Sequence, residues 1–257
     1  MIHPTAIVDP KAEIGKEVEI GPYTIIEKRV LIGSGTKIGP HVVIREGTQM
    51  GEGNQIYQFS SIGEAPQAVA YRGEPTLLQM GDHNIIREFV TLHRGSVKGG
   101  GKTVLGNDNF IMAYSHIAHD CQIGNQVVMA NGATLGGHIL IEDYAIIGGL
   151  SAIHQFCRIG THTIISGLTG VSQDILPYMM AAGSRARLYG LNTVGLKRHQ
   201  FSEQTIRTLK KAYRILFRSG LPLQKAIHTI EEDEIASTAE IRHLLQFIQG
   251  SKRGINR

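Results

Sequence analysis

The residues best able to do chemistry cluster in three short segments: HIAHDC from His116 to Cys121, GGH from Gly136 to His138, and HQF from His154 to Phe156. His119 is followed directly by Asp120, and Gly137 lies 18 residues beyond His119. A histidine, a carboxylate and a bare glycine amide are what acyl transfer to a hydroxyl requires. Imidazole titrates near neutrality and can take the hydroxyl proton. A carboxylate holds the imidazole tautomer and stabilises its charged form, and a free backbone N–H stabilises the oxyanion of the tetrahedral intermediate. No covalent intermediate is needed.

These residues converge only if something repeats every 18 positions, and the sequence supplies such a period. An apolar residue recurs at every sixth position from Val8 through Ile14, Ile20 and Ile26 to Ile62. The pattern returns at Met80, Ile86 and Leu92, slips by one position, and runs again from Leu105 to Val171. A period of six fits neither a helix surface nor one long strand, but it suits short strands joined by tight corners, hence a parallel β-helix with three strands per coil. The repeats resemble those of left-handed hexapeptide β-helices, and this resemblance sets the handedness, against the usual right-handed crossover. At roughly 4.8 Å per coil, about eight coils make a prism about 40 Å tall.

Residues 18 apart then stack on adjacent coils. His119 lies under Gly137 and Gln155, Asp120 under His138, and His154 in the next column with Ala118 and Gly136. Ala113, Asn131, Gly149 and Gly167 form a column of small residues that leaves room for an extended chain or merely supplies corners. His116 and His162 read as solvated or interface histidines. The repeat is interrupted at Gly63–Gln79 and at His93–Val104, which read as loops leaving the prism.

Beyond Pro177 the pattern becomes helical. Ile206, Leu209, Tyr213, Leu216 and Phe217 form one stripe after the candidate cap Ser202, ending at Gly220. Pro222 can open a second helix, and Ser237 with Glu240 reads as a capping box ahead of Ile241. The expected fold is an all-β main domain, a left-handed parallel β-helix over 1–180, with a small all-α C-terminal domain over 181–257 that covers the last strand edges.

Composition narrows the function classes. The 257 residues are 42% hydrophobic and 19% charged, a globular balance. No apolar run approaches the ~20 residues of a membrane span, and MIHPTAIVDP lacks the layout of a signal peptide, so a cytoplasmic protein is expected. Cys121 and Cys157 lie two coils apart, too far for a disulfide. From Arg185 to Arg218 nine Lys or Arg face one acid, Glu203, a surface suited to an acidic partner protein. It lacks the aromatic interleaving of a nucleic-acid site.

The segments HIAHDC, GGH, HQF and GLKR (Gly195–Arg198) resemble the lipid A UDP-N-acetylglucosamine acyltransferases across essentially the whole chain. The resemblance implies a cofactor-free homotrimer that moves a 3-hydroxyacyl group from acyl carrier protein to the 3-hydroxyl of UDP-N-acetylglucosamine. It implies His119 as general base, Asp120 as its orienting partner and the Gly137 amide as oxyanion donor. It assigns Gln67, His138, His154, Gln155, Asn192 and Arg198 to substrate binding, and Gly167 to gauging acyl length, with active sites between subunits and no metal.

The chain departs from the family at Ala68 and Ala70, where an aspartate and a lysine are usual, at Val194 for glutamate and at His199 for arginine. A paralogue accepting a different sugar, such as a 3-amino one, is the nearest alternative. A γ-carbonic-anhydrase-like zinc enzyme is a second, requiring three converging neutral imidazoles. A non-catalytic β-helix scaffold is a third, though such a rod would carry monotonous outward positions.

Overall fold

The computed structural model describes residues 1–256. Successive two-residue strands visit three parallel sheets in turn, and the coils wind left-handed. Ile117 pairs with Leu135, and Ile123 with Ile141, so strands 18 residues apart lie in register over the third run of repeats. The apolar position of each repeat points inward: Ile44, Ile86, Ile111, Met129 and Ile165 have no exposed surface. Each such side chain contributes about 2 kcal/mol of burial.

The corners are built from an unusual backbone. Asp120, His138 and Phe156 occupy left-handed φ values of 63°, 60° and 66° at one corner, and Tyr144 and His162 do so at the second. At the third corner Tyr114, Leu150 and Leu168 share the conformation. Non-glycine residues pay of order 1–3 kcal/mol for it, and the surrounding ladder hydrogen bonds hold them there. The conformation turns the side chain outward, which stacks corner residues along the prism. His138 lies on Phe156 at 4.5 Å between ring centroids.

The two interruptions are shorter than expected. The strands Ser61–Glu64 and Leu77–Met80 bracket the first loop, leaving 65–76 outside the prism. The strands Thr91–His93 and Lys102–Leu105 bracket the second, with a 3-10 turn at Val97–Gly99. Register is carried across both by buried asparagines: the Asn84 amide donates to Asn54 Oδ1 at 3.1 Å, and that of Asn109 to Asn84 Oδ1 at 2.9 Å. A satisfied amide ladder inside an apolar prism penalises any slip that would leave a polar group unpaired.

The expected domain boundary at 180–181 falls inside a closing hairpin. Met179–Ala182 pairs with Ile164–Ile165, and Arg187–Leu191 pairs antiparallel with it, ending the sheet. Four helices follow: α1 (Thr193–Arg198), α2 (Glu203–Arg218), α3 (Leu223–Glu231) and α4 (Ala239–Gln249). Ser202 caps α2 by accepting from the Thr205 amide at 3.0 Å, as its spacing predicts. The capping box expected at Ser237 does not form. Ser237 ends a 3-10 turn and its hydroxyl donates to Glu234 O, so α4 starts after Thr238 without a side-chain cap. Leu209, Leu216, Leu244 and Phe247 close a second core against Leu176 and Met179. Among the described residues, no helix is long and apolar enough to cross a membrane.

Candidate active site

The first corner gathers the residues singled out by their 18-residue spacing. His119 Nδ1 lies 2.7 Å from Asp120 Oδ2, so with the carboxylate ionised the Nδ1–H donates and Nε2 is left as the acceptor. The His119 ring lies across Gly137: a Cβ added to that glycine would stand 2.8 Å from Cε1 and 3.1 Å from Nε2. Only glycine permits this approach. The Gly137 N–H makes no hydrogen bond among the described residues, whereas the next amide, of His138, donates to His119 O at 3.0 Å. A proton acceptor and a free amide donor therefore stand side by side.

The second loop, not the prism, fixes the carboxylate. Ser96 N–H donates to Asp120 Oδ1 at 2.7 Å and the Ser96 hydroxyl to Oδ2 at 2.6 Å, while the Asp120 amide donates to Thr103 Oγ1 at 2.8 Å. Gly99 lies so close that a Cβ there would stand 2.0 Å from the carboxyl carbon. Sequence reading missed Ser96, because 24 residues separate it from Asp120 across a break in the repeat. The glycine-rich loop was the available signal.

His138 Nε2 stands 3.7 Å from Asp120 Oδ2, and its ring meets His119 edge-on at 5.1 Å. Burial pushes its pKa down, with the Asp120 charge opposing. His119, Asp120 and His138 each offer an atom within 4.8 Å of the others, the spacing of a metal set. Both Asp120 oxygens are, however, already engaged by Ser96 and His119. Zinc chemistry of the hydratase kind also needs a third imidazole here, and His154, the next histidine along the corner, is exposed with Nδ1 turned to Gln155 O at 3.1 Å.

Below His119, Arg94 donates to Gly63 O at 2.8 Å and to the Tyr71 hydroxyl at 3.0 Å, pinning the first loop that carries the exposed Gln67. Arg72 donates to its own loop's Val69 and Tyr71 carbonyls. His93 and His116 meet edge-on at 4.8 Å, and His116 Nδ1 lies 2.7 Å from Thr91 Oγ1. Burial, then the neighbouring His116, pushes His93 down to about 4.

Of the remaining expected residues, Gln155 lies at the same corner, Asn192 and Arg198 lie on or beside α1, and Gly167 lies at the third corner. Asn192 is buried as the cap of α1: its oxygen accepts from Gly195 N at 3.0 Å and its amide donates to His162 O at 2.9 Å. His199, where arginine is usual, packs on Tyr144 and His162 of the second corner at 5.0 and 4.8 Å. His162 is thus not solvated, and burial, then His199, pushes it down to about 4. Arg198 is exposed in the last turn of α1. Gly167 is exposed at the third corner beside Leu168 and Leu150. Gln155 is exposed one coil above Gly137.

The two depressed histidines set an acid limit on stability. Each titrates near 6.5 when unfolded and about 4 when folded, so the unfolded chain binds more protons between those values. Their stabilisation is complete above pH ~6.5, falls as pH drops, and is lost by pH ~4. The melting temperature is expected to drop across that window in the wild type and less steeply in His93→Gln and His162→Gln.

The prism of six-residue repeats with a histidine–aspartate pair at its corner defines a hexapeptide-repeat acyltransferase. Residues 102–137 match the bacterial transferase hexapeptide family, six repeats, and residues 174–256 match domain 2 of Udp N-acetylglucosamine O-acyltransferase. The chain belongs to the acyl-[acyl-carrier-protein]–UDP-N-acetylglucosamine O-acyltransferase family. It is 57% identical to the member from Thermodesulfovibrio yellowstonii and 55% to that from Janthinobacterium, each over all of this chain and 99% of the relative. The UDP-N-acetylglucosamine O-acyltransferase of Moraxella catarrhalis superposes with a TM-score of 0.96 at 44% identity, covering all of this chain and 99% of that one.

Proposed function

We propose that this enzyme transfers a 3-hydroxyacyl group from acyl carrier protein to the 3-hydroxyl of UDP-N-acetylglucosamine, the first step of lipid A synthesis. The observation that carries the chemistry is the His119–Asp120 pair lying across the free Gly137 amide. His119 Nε2 takes the sugar hydroxyl proton as the oxygen attacks the thioester carbonyl. The C–O bond forms, and the carbonyl electrons move to an oxyanion that accepts from Gly137 N–H. Collapse breaks the C–S bond, and the imidazolium returns its proton to the departing thiolate. The balance needs no metal and no redox cofactor.

Substrate contacts are assigned by the same reading to Gln67, His138, His154, Gln155, Asn192 and Arg198. Because Asn192, tied to the second corner, and Gly167, at the third, stand apart from His119, a complete site needs a neighbouring subunit, and a cytoplasmic homotrimer supplies one. Asn192 acts mainly by holding α1, since both ends of its amide are engaged. The uncharged segment Ala68–Ala70 favours testing a 3-amino sugar beside the hydroxyl sugar, since no loop lysine is available for phosphate or sugar oxygens.

The test is transfer from a panel of 3-hydroxyacyl carrier proteins to UDP-N-acetylglucosamine and its 3-amino analogue. Transfer to the hydroxyl sugar is expected. Preference for the amino sugar would move the acceptor assignment, and no transfer with any pair would overturn the function. In the same panel, Gly167→Met is expected to shift the preferred donor to a shorter chain by several carbons, because the added side chain occupies the small-residue column. An unchanged chain profile would remove Gly167 from that role.

A further inference from the structure

The first loop stands off the prism. A cleft of about 770 Å³ lies between its returning limb, from Gly73 to Leu77, and the lower coils. Val69, on the other limb, is 97% exposed. Charge is what spans the gap. One wall of the cleft carries a column of alternating sign, Glu27, Arg45, Glu64 and Arg94. Arg45 is its centre: Nε donates to Glu64 Oε2 at 2.8 Å, and Nη1 donates to Glu27 Oε1. The second oxygen of each carboxylate is also engaged, that of Glu27 by the Glu46 amide at 2.9 Å and that of Glu64 by the Ala65 amide at 2.8 Å. Burial alone would raise the Glu64 carboxyl, but the Ala65 amide and Arg45 outweigh it and hold the group below the usual carboxylate range.

Glu64 is the last residue of its strand, and the first loop begins at Ala65. Only Ala65 and Pro66 separate it from Gln67. Neither can swivel freely. The Ala65 amide is fixed by Glu64, a residue before proline is confined to extended backbone, and proline fixes its own φ. Pro66 is buried, and its carbonyl accepts from the Ala68 amide at 2.8 Å. The direction in which Gln67 leaves the prism is therefore set by the Glu64 carboxylate. Arg45 itself lies three coils below His119, through the pairs Ile44–Ile62, Ile62–Leu92 and Leu92–Ile117, so it acts through the loop and not on the reacting atoms.

We propose that Arg45 is a positioning residue for acceptor binding: forked between Glu27 and Glu64, it fixes the root of the first loop so that Gln67 meets the nucleotide sugar. The assignment rests on Gln67 as an acceptor contact, as given above. The Arg45, Glu27 and Glu64 side chains are 33–39% exposed, and ion pairs of that kind add little to folding stability. A planar guanidinium shared by two carboxylates does fix direction, which the point charge of a lysine would not.

The experiment measures kcat, both KM values and the melting temperature for wild type, Arg45→Gln, Arg45→Lys, Gln67→Ala and Arg45→Gln/Gln67→Ala, with acyl carrier protein as donor carrier and the acceptor preferred in the panel above. Arg45→Gln is expected to raise the acceptor KM about 10-fold, the effect of one misplaced hydrogen bond. Its kcat and donor KM should stay within about twofold of wild type, with little change in melting temperature. Arg45→Lys, which reaches one carboxylate, should recover part of the loss. The double variant should be no worse than Gln67→Ala alone, because a residue acting through Gln67 has nothing left to position. The proposal is overturned by an unchanged acceptor KM in Arg45→Gln, by a loss of kcat that tracks the melting temperature, or by penalties that add in the double variant. A wild-type acceptor KM in Gln67→Ala would remove Gln67 from the site and the proposal with it. Absence of transfer by the wild type across that panel would overturn the reaction on which both rest.

Discussion

Replacing His119 by alanine is expected to lower kcat by about 10³-fold, within the 10²–10⁴ range that a positioned general base contributes. The residue is half-buried at a corner, with its one internal hydrogen bond to Asp120. Its removal leaves the inward ladder untouched, so the melting temperature should move little. The acceptor KM should also change little, because the proton moves only as the transition state forms. A variant with wild-type kcat on the preferred donor and acceptor would remove His119 from the proton transfer and favour a binding role for this corner. Equal loss of kcat and fold would be uninformative, so His119→Gln, which keeps a donor and an acceptor of similar size, is the partner variant. It should fold and remain just as slow.

The second large effect is expected at Asp120. Its oxygens accept three hydrogen bonds, two from Ser96 and one from His119 Nδ1. Asparagine cannot satisfy all three. With its oxygen toward Ser96 N–H, the amide points at His119 and favours the tautomer protonated on Nε2, which cannot accept the hydroxyl proton. With the amide reversed, two donors face each other in a buried site, which costs about 1–3 kcal/mol and loosens the second loop. Asp120→Asn is therefore expected to cost up to about 10⁴ in kcat, the loss that follows when the carboxylate of a Ser-His-Asp triad is neutralised. Ser96→Ala, which leaves the carboxylate in place, should cost only about 10-fold. Should Asp120→Asn and Ser96→Ala prove equally mild, the loop would be a structural clasp with no part in orienting the base.

Much of this molecule is legible in the order of its residues. The six-residue period from Val8 to Val171 dictates the prism, because an apolar side chain at every sixth position can be buried only if the chain turns a corner between them. The same arithmetic stacks His119 under Gly137 and Asp120 under His138, so the candidate catalytic corner follows from spacing alone. The amphipathic stripe of α2 and its Ser202 cap are likewise local, set by side chains within one or two turns. Where the repeat breaks, local rules fail. Nothing in the spacing of Ser96 and Asp120 announces their contact, since the second loop can fold back over the corner in many ways until Gly99 and Ser96 meet a buried carboxylate. The closing hairpin at Met179–Leu191 was hidden because its pairing partner is the last open edge of the prism, not its own neighbours in sequence. The capping box at Ser237 was lost to a tighter turn that the packing of Ile235 favours. Tertiary structure alone decided that Asn192 and His199 serve α1 against the second corner, and that Lys252 and Arg253 are tethered through Asp174 to the edge of the candidate catalytic one. Those contacts join residues 30 to 77 positions apart, and only the packed prism makes them neighbours.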